Sequence, residues 1–120
     1  MDFDLKTALP LLESTPETLR ALLAGLPEPW THTNEGPDTW SPYDVVGHLI
    51  HGERLRAMNL TDEDPARRGA HPAFGTVSMA QLLSTWVVHD LGHIQQIVRT
   101  MARQYTEAVG PWREYLSIVK

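Results

Sequence analysis

Apolar residues keep a 3.6-residue period through one long stretch of the chain: Met79, Leu82, Leu83, Trp86, Val87, Ile94, Ile97, Val98 and Met101. Ser78, with Gln81 three residues later, has the form of a capping box, so a helix is predicted from there to about residue 103, about 40 Å long at 1.5 Å per residue. A second apolar stripe, Val45, Val46, Leu49 and Leu55, predicts a helix over residues 43–59 behind the start signal Ser41-Pro42. Leu19, Leu22, Leu23 and Leu26 predict another, opened by Thr15-Pro16, because threonine caps and proline suits the first helical position. The upstream "FDLKTALPLLE" reads as a short helix leading into it. Pro27, Pro29, Gly36 and Pro37 predict a loop over residues 27–39, and the charged, Pro- and Gly-bearing "LTDEDPARRGAHPAFGTV" predicts a second, surface loop. Gly110-Pro111 sets off "WREYLSIV" as a short C-terminal helix. There is no alternating strand pattern, internal repeat or low-complexity tract, and the expectation is one all-α domain over residues 1–120.

Composition narrows the chemistry. A chain of 120 residues buries about two-thirds of its unfolded surface, enough for one modest core. Ten Lys and Arg against fifteen Asp and Glu give a net charge of −5, relieved only by the short basic pair Arg67-Arg68, which argues against nucleic acid and anionic membranes as partners. With no cysteine, disulfides, thiolate metal sites and cysteine nucleophiles are all excluded, so any metal must be held by His, Asp or Glu. The N-terminal "MDFDLKTALP" lacks a basic segment followed by an apolar one, and no run approaches the roughly 18 apolar residues of a membrane span, so a cytoplasmic location is expected.

Within the long helix stands His89-Asp90-Leu91-Gly92-His93. Four helical residues turn through about 400°, so the two imidazoles lie about 40° apart, one turn along the axis, and can grip one ion. On a helical wheel Trp86, Asp90, Ile97 and Met101 lie near the middle of the apolar stripe, His93 inside its margin and His89 just beyond, so the pair faces a neighbouring helix. The second helix offers His48 and His51; His48 falls within about 70° of the buried centre formed by Val45, Leu49 and Gly52, and is the expected third ligand. Three imidazoles with open positions make a catalytic-type site for a divalent metal such as zinc, nickel, iron or copper.

An HxxxH pair alone is weak evidence, since helical histidines also decorate polar edges. Asp90 adds to it, because a carboxylate in an apolar stripe needs a partner, and orienting a ligand histidine supplies one; a structural hydrogen bond to an indole or a helix N-terminus is the equal alternative. Glu53 is the candidate general base, although beside Arg54 and Arg56 a solvated charge is the commoner role. His32 and His71 fall in loops, and Trp40 and Trp86 read as core residues that can also wall a pocket. No serine or threonine has a nucleophile-elbow context.

The segments "WSPYDVVGHLIHGE" and "HPAFGTVSMAQLLSTWVVHDLGHIQQIVRTM" resemble the DinB-like superfamily of helical bundles, which includes bacterial thiol-dependent transferases and proteins described as metal-dependent hydrolases. The resemblance runs from "STPETLRALLAGLP" to "YTEAVGPWREYLSIV" and rests on a histidine shortly after Trp-Ser-Pro followed by the HxxxH pair. It implies a divalent metal on His48, His89 and His93, and either transfer of a small thiol to an electrophile or hydrolysis of an amide or ester. The departure from the family is a gap: only "AMNLTDE" stands where its bundle has a third helix and a lengthy connection. Three apolar stripes, the longest outreaching its partners, leave a face that a second copy is expected to cover, giving a shortened bundle completed as a homodimer. The alternative to an enzyme is a non-catalytic metal-binding or structural homodimer whose pocket went with the missing helix.

Overall fold

The computed structural model describes residues 1–50, 61 and 63–120. In chain order these form α1 (Leu5–Leu23), α2 (Glu28–His32), α3 (Pro42–Ile50), a 3-10 turn (Asp64–Ala66), β1 (Arg68–His71), β2 (Gly75–Ser78), α4 (Met79–Arg103) and two further 3-10 turns (Gly110–Glu114 and Ser117–Val119). The molecule is mainly helical, with one antiparallel hairpin added. His51, Glu53, Leu55 and the rest of the predicted second helix beyond Ile50 lie outside the described residues.

The long helix begins and ends where its period and capping box place it. Ser78 accepts from the Gln81 N–H at 3.2 Å, and the Gln81 side chain accepts from the Ser78 N–H at 2.8 Å, satisfying two donors that the first turn leaves without partners. Ile97 in its buried stripe is fully excluded from solvent and packs with Leu19 of α1 and with Val45 and Leu49 of α3. Leu22, Leu23, Val46, Ile94 and Met101 close around this centre. The core is therefore the three-way junction of α1, α3 and α4, and it fixes how α3 lies across α4.

Four local expectations need correction. Thr15-Pro16 does not start a helix: α1 runs unbroken through Pro10 and Pro16 from a cap at Asp4, whose carboxylate accepts from the Lys6 N–H at 3.0 Å. A proline in a helix interior costs about 3 kcal/mol, and here a buried face of Leu5, Ala8, Thr15 and Leu19 spans both prolines and keeps the segment helical. Within the predicted 27–39 loop, Pro27 opens the short α2, whose Trp30 stacks on Tyr105 with ring centroids 5.5 Å apart. The predicted second loop contains the β1–β2 hairpin, which turns through Gly75 in the left-handed region at φ 71°. All of β1 is exposed, so no alternation marks it. The C-terminal segment forms two 3-10 turns instead of an α-helix, Gly110 standing at φ 55° at the start of the first.

α3 is held at its start by a reciprocal cap. The Ser41 N–H and hydroxyl donate to Asp44 Oδ2 at 3.0 and 2.7 Å, and the Asp44 N–H donates back to the Ser41 hydroxyl at 3.3 Å. The Ser41 hydroxyl, followed by its N–H, holds the Asp44 carboxyl below the usual carboxylate range. Folding thus favours the charged form, and this contribution is complete above the ordinary value of 3.8 and lost as pH falls through the lowered folded value. Ser41→Ala is expected to lower stability by about 1 kcal/mol at neutral pH. In urea titrations its deficit against wild type should shrink below the carboxylate range, where Asp44 is protonated in both proteins.

Candidate metal centre

The α1–α3–α4 junction sets His48, the seventh residue of α3, against His89 and His93, one turn apart on α4. All three imidazoles are half-buried, and their ligand atoms lie within 4.8 Å of one another. His89 Nε2 is the hub, 3.1 Å from His93 Nε2 and 3.3 Å from His48 Nε2. Two nitrogens each about 2.1 Å from a shared ion stand about 3.0 Å apart at a right angle and about 3.4 Å apart at the tetrahedral angle. Both measured edges fall inside that window.

Proton positions agree with the distances. A neutral imidazole carries one N–H and one lone pair. His93 Nδ1 is 2.9 Å from Gln96 Oε1, an acceptor, which places the proton on Nδ1 and turns the Nε2 lone pair inward. Among the described residues His89 Nδ1 is buried without a hydrogen-bond partner, and Asp90 Oδ1 lies 3.6 Å from it, beyond hydrogen-bond range but favouring a proton on Nδ1. If His89 Nε2 instead carried the proton, to bond with a neighbouring imidazole, the Nδ1 lone pair would face that carboxylate. With Nδ1 protonated on His89 and His93, their inward Nε2 lone pairs face each other at 3.1 Å. A cation resolves this conflict, so the residues present fit a divalent metal held by three Nε2 atoms.

Aromatic rings enclose the triad. Trp40 lies 4.9 Å from the His48 ring and 6.2 Å from that of His93, and Trp86 meets the His89 ring edge-on at 5.2 Å. Of the two roles expected of Trp40, core residue or pocket wall, it takes the second: it is 41% exposed and lines a cleft beside the triad. His32 and His71 are exposed and stand apart from the triad, stacked on Tyr43 and Phe74.

Beside His93 opens a cleft of about 380 Å³, walled by Glu35, Asp38, Trp40, His93, Gln96 and Thr100 among others. That volume lies in the range of small-molecule sites. Glu35 straps the loop before α3 onto α4 by ion pairs to Arg99 at 3.1 Å and Arg103 at 3.4 Å, and the strapped loop becomes the cleft's second wall. Sequence reasoning missed Gln96 and this strap. The first had a signal, since Gln96 lies three residues after His93 on the same helical face; the strap joins positions 64 residues apart and leaves no local mark.

Gln96→Leu is expected to weaken zinc binding by about 10–100-fold with the helical circular dichroism unchanged, because it removes the acceptor that holds the His93 tautomer. A chelator-competition titration reads this directly. Compared with known protein families and with curated proteins, the chain matches none.

Proposed function

We propose that this chain is a DinB-like metal-dependent enzyme, with one divalent ion held by His48, His89 and His93 and a substrate in the adjoining cleft. The observation that carries the reading is the convergence of three imidazoles from two helices at metal-binding separations, at a point where the cleft reaches His93. A metal so held supplies Lewis acidity, lowering the pKa of water or a thiol or polarising a substrate group. The protein's own residues do the rest: Gln96 fixes the His93 ring, Asp90 biases the His89 tautomer, and Trp40 and Trp86 limit water around the triad. Activation of a small thiol for transfer to an electrophile needs fewer protein acid–base groups than amide or ester hydrolysis, because a bound metal alone can deprotonate the thiol, and it is the preferred reaction.

Elemental mass spectrometry on protein purified without a histidine tag tests the reading. About one ion per chain, removed together with thiol-transfer activity by a chelator and restored with metal, supports it. No ion after incubation with zinc, nickel or iron salts sinks it and leaves a structural role.

A two-fold homodimer belongs to the same proposal. The radius of gyration is 17.4 Å, against about 14 Å for a compact chain of this length. Val88 and Leu91 on α4 are 68% and 46% exposed, alongside Trp112 and Tyr115 near the C-terminus. Such apolar surface is what a second copy would cover. Light scattering should give twice the chain mass for wild type, and the chain mass for Val88→Glu/Leu91→Glu; a well-folded wild-type monomer would contradict it.

A further inference from the structure

We propose that the cleft beside His93 selects a small molecule bearing an alkylammonium group, which Asp38 pairs with against the face of Trp40 while the other end of the molecule reaches the three-histidine centre. The inference rests on the metal reading for the reacting end only; the cationic end is argued from the cleft itself.

Among the described residues two acidic ones, Glu35 and Asp38, line the cleft, and they are not equivalent. Glu35 is already compensated by Arg99 and Arg103, at 3.1 and 3.4 Å. Asp38 has no ion pair and no side-chain hydrogen bond among the described residues, although it stands two residues from Trp40 on the same strapped loop. It sits at φ 59°, the only non-glycine residue in the left-handed region among those described, a conformation that aspartate and asparagine tolerate better than most residues. The loop therefore turns sharply at the acidic residue that, among the described residues lining the cleft, has no ion-pair partner.

Trp40 supplies the complementary surface. Its ring packs against the His48 and His93 imidazoles, with centroids 4.9 and 6.2 Å away, and it remains 41% exposed beside the cleft. An indole face next to a carboxylate recognises an ammonium through both its charge and its attraction to the ring quadrupole. An anionic head group meets the unpaired Asp38 and is rejected; a neutral hydroxyl obtains neither attraction. Because Trp40 and His93 belong to both the cleft and the surround of the triad, a ligand held at Asp38 has its far end directed toward the imidazoles. The ligand class that fits is a linear amine with a metal-seeking group, such as a thiol, at the opposite end.

The test compares ω-amino-, ω-hydroxy- and ω-carboxyalkanethiols of two to six carbons on the zinc-loaded full chain, with dissociation constants read from the shift of the Trp40 indole N–H resonance, assigned with Trp40→Phe. The aminothiol of best-fitting length should bind at least about tenfold more tightly than its hydroxy counterpart, with the carboxythiol weakest. Asp38→Asn, which keeps the left-handed backbone accessible, should erase the difference between amino and hydroxy compounds while leaving the hydroxythiol's affinity as it was. Equal affinities across the three head groups, or a preference that survives Asp38→Asn, would overturn the proposal. Repeating the series on metal-free protein separates the two readings: a head-group preference that persists while the thiol confers no zinc-dependent gain supports the Asp38 subsite and counts against the metal-activated thiol.

Discussion

Replacing His89 by alanine is expected to reduce zinc affinity by more than the roughly 100-fold upper range of an outer-shell change, because His89 Nε2 is the atom from which both measured contacts of the triad radiate. The stability readout is distinctive. Zinc at about a hundred times its dissociation constant adds about 2.7 kcal/mol to a protein that binds it only when folded. For a domain of this size that raises the unfolding midpoint by about 10 °C. Wild type should show this rise and His89→Ala should show none. Without metal the two should unfold at similar temperatures, since the variant removes a buried Nδ1 that has no hydrogen-bond partner among the described residues and the lone-pair crowding at 3.1 Å along with the ring's contact to Trp86. A His89→Ala protein that keeps the zinc-dependent rise would place the ion elsewhere.

The largest loss of stability is expected at Ile97, which is fully buried where α1, α3 and α4 meet. Ile97→Ala should cost about 2–5 kcal/mol, a large share of the roughly 5–15 kcal/mol available to a small domain. Ile97→Val should cost about 1 kcal/mol. The site should register the same change. Ile97 lies one turn beyond His93 and packs on Val45 and Leu49, the residues that hold α3 and thereby His48 against α4. Loosening that contact separates His48 from the α4 pair, so zinc affinity should fall in Ile97→Ala and be kept in Ile97→Val. Urea unfolding with parallel zinc titration of both variants checks the coupling between core and site.

The triad was legible in the sequence because all its determinants are local or periodic. The HxxxH spacing fixes two ligands on one helical face, the capping box and apolar period set the bounds of α4, and the wheel positions of Val45 and Leu49 favour His48 over His51 as the histidine turned toward α4. What was missed depends on tertiary structure. Two prolines in α1 overrode the buried stripe that keeps it continuous, and the exposed β1–β2 hairpin has no hydrophobic alternation to betray it. The size and apolarity of the Trp40 indole left core and pocket wall both open, and the loop strapped by Glu35 decides for the wall. The ion pair that builds that wall links positions too distant for any window of sequence to relate.

The Nε2 atoms of His48, His89 and His93 are proposed to hold one ion between α3 and α4. Anomalous diffraction at the zinc edge from zinc-soaked crystals of the untagged protein tests this most directly. One peak per chain is expected, about 2.0–2.1 Å from Nε2 of His48, His89 and His93. A peak on other residues, or an ordered triad with no peak at saturating zinc, would contradict it.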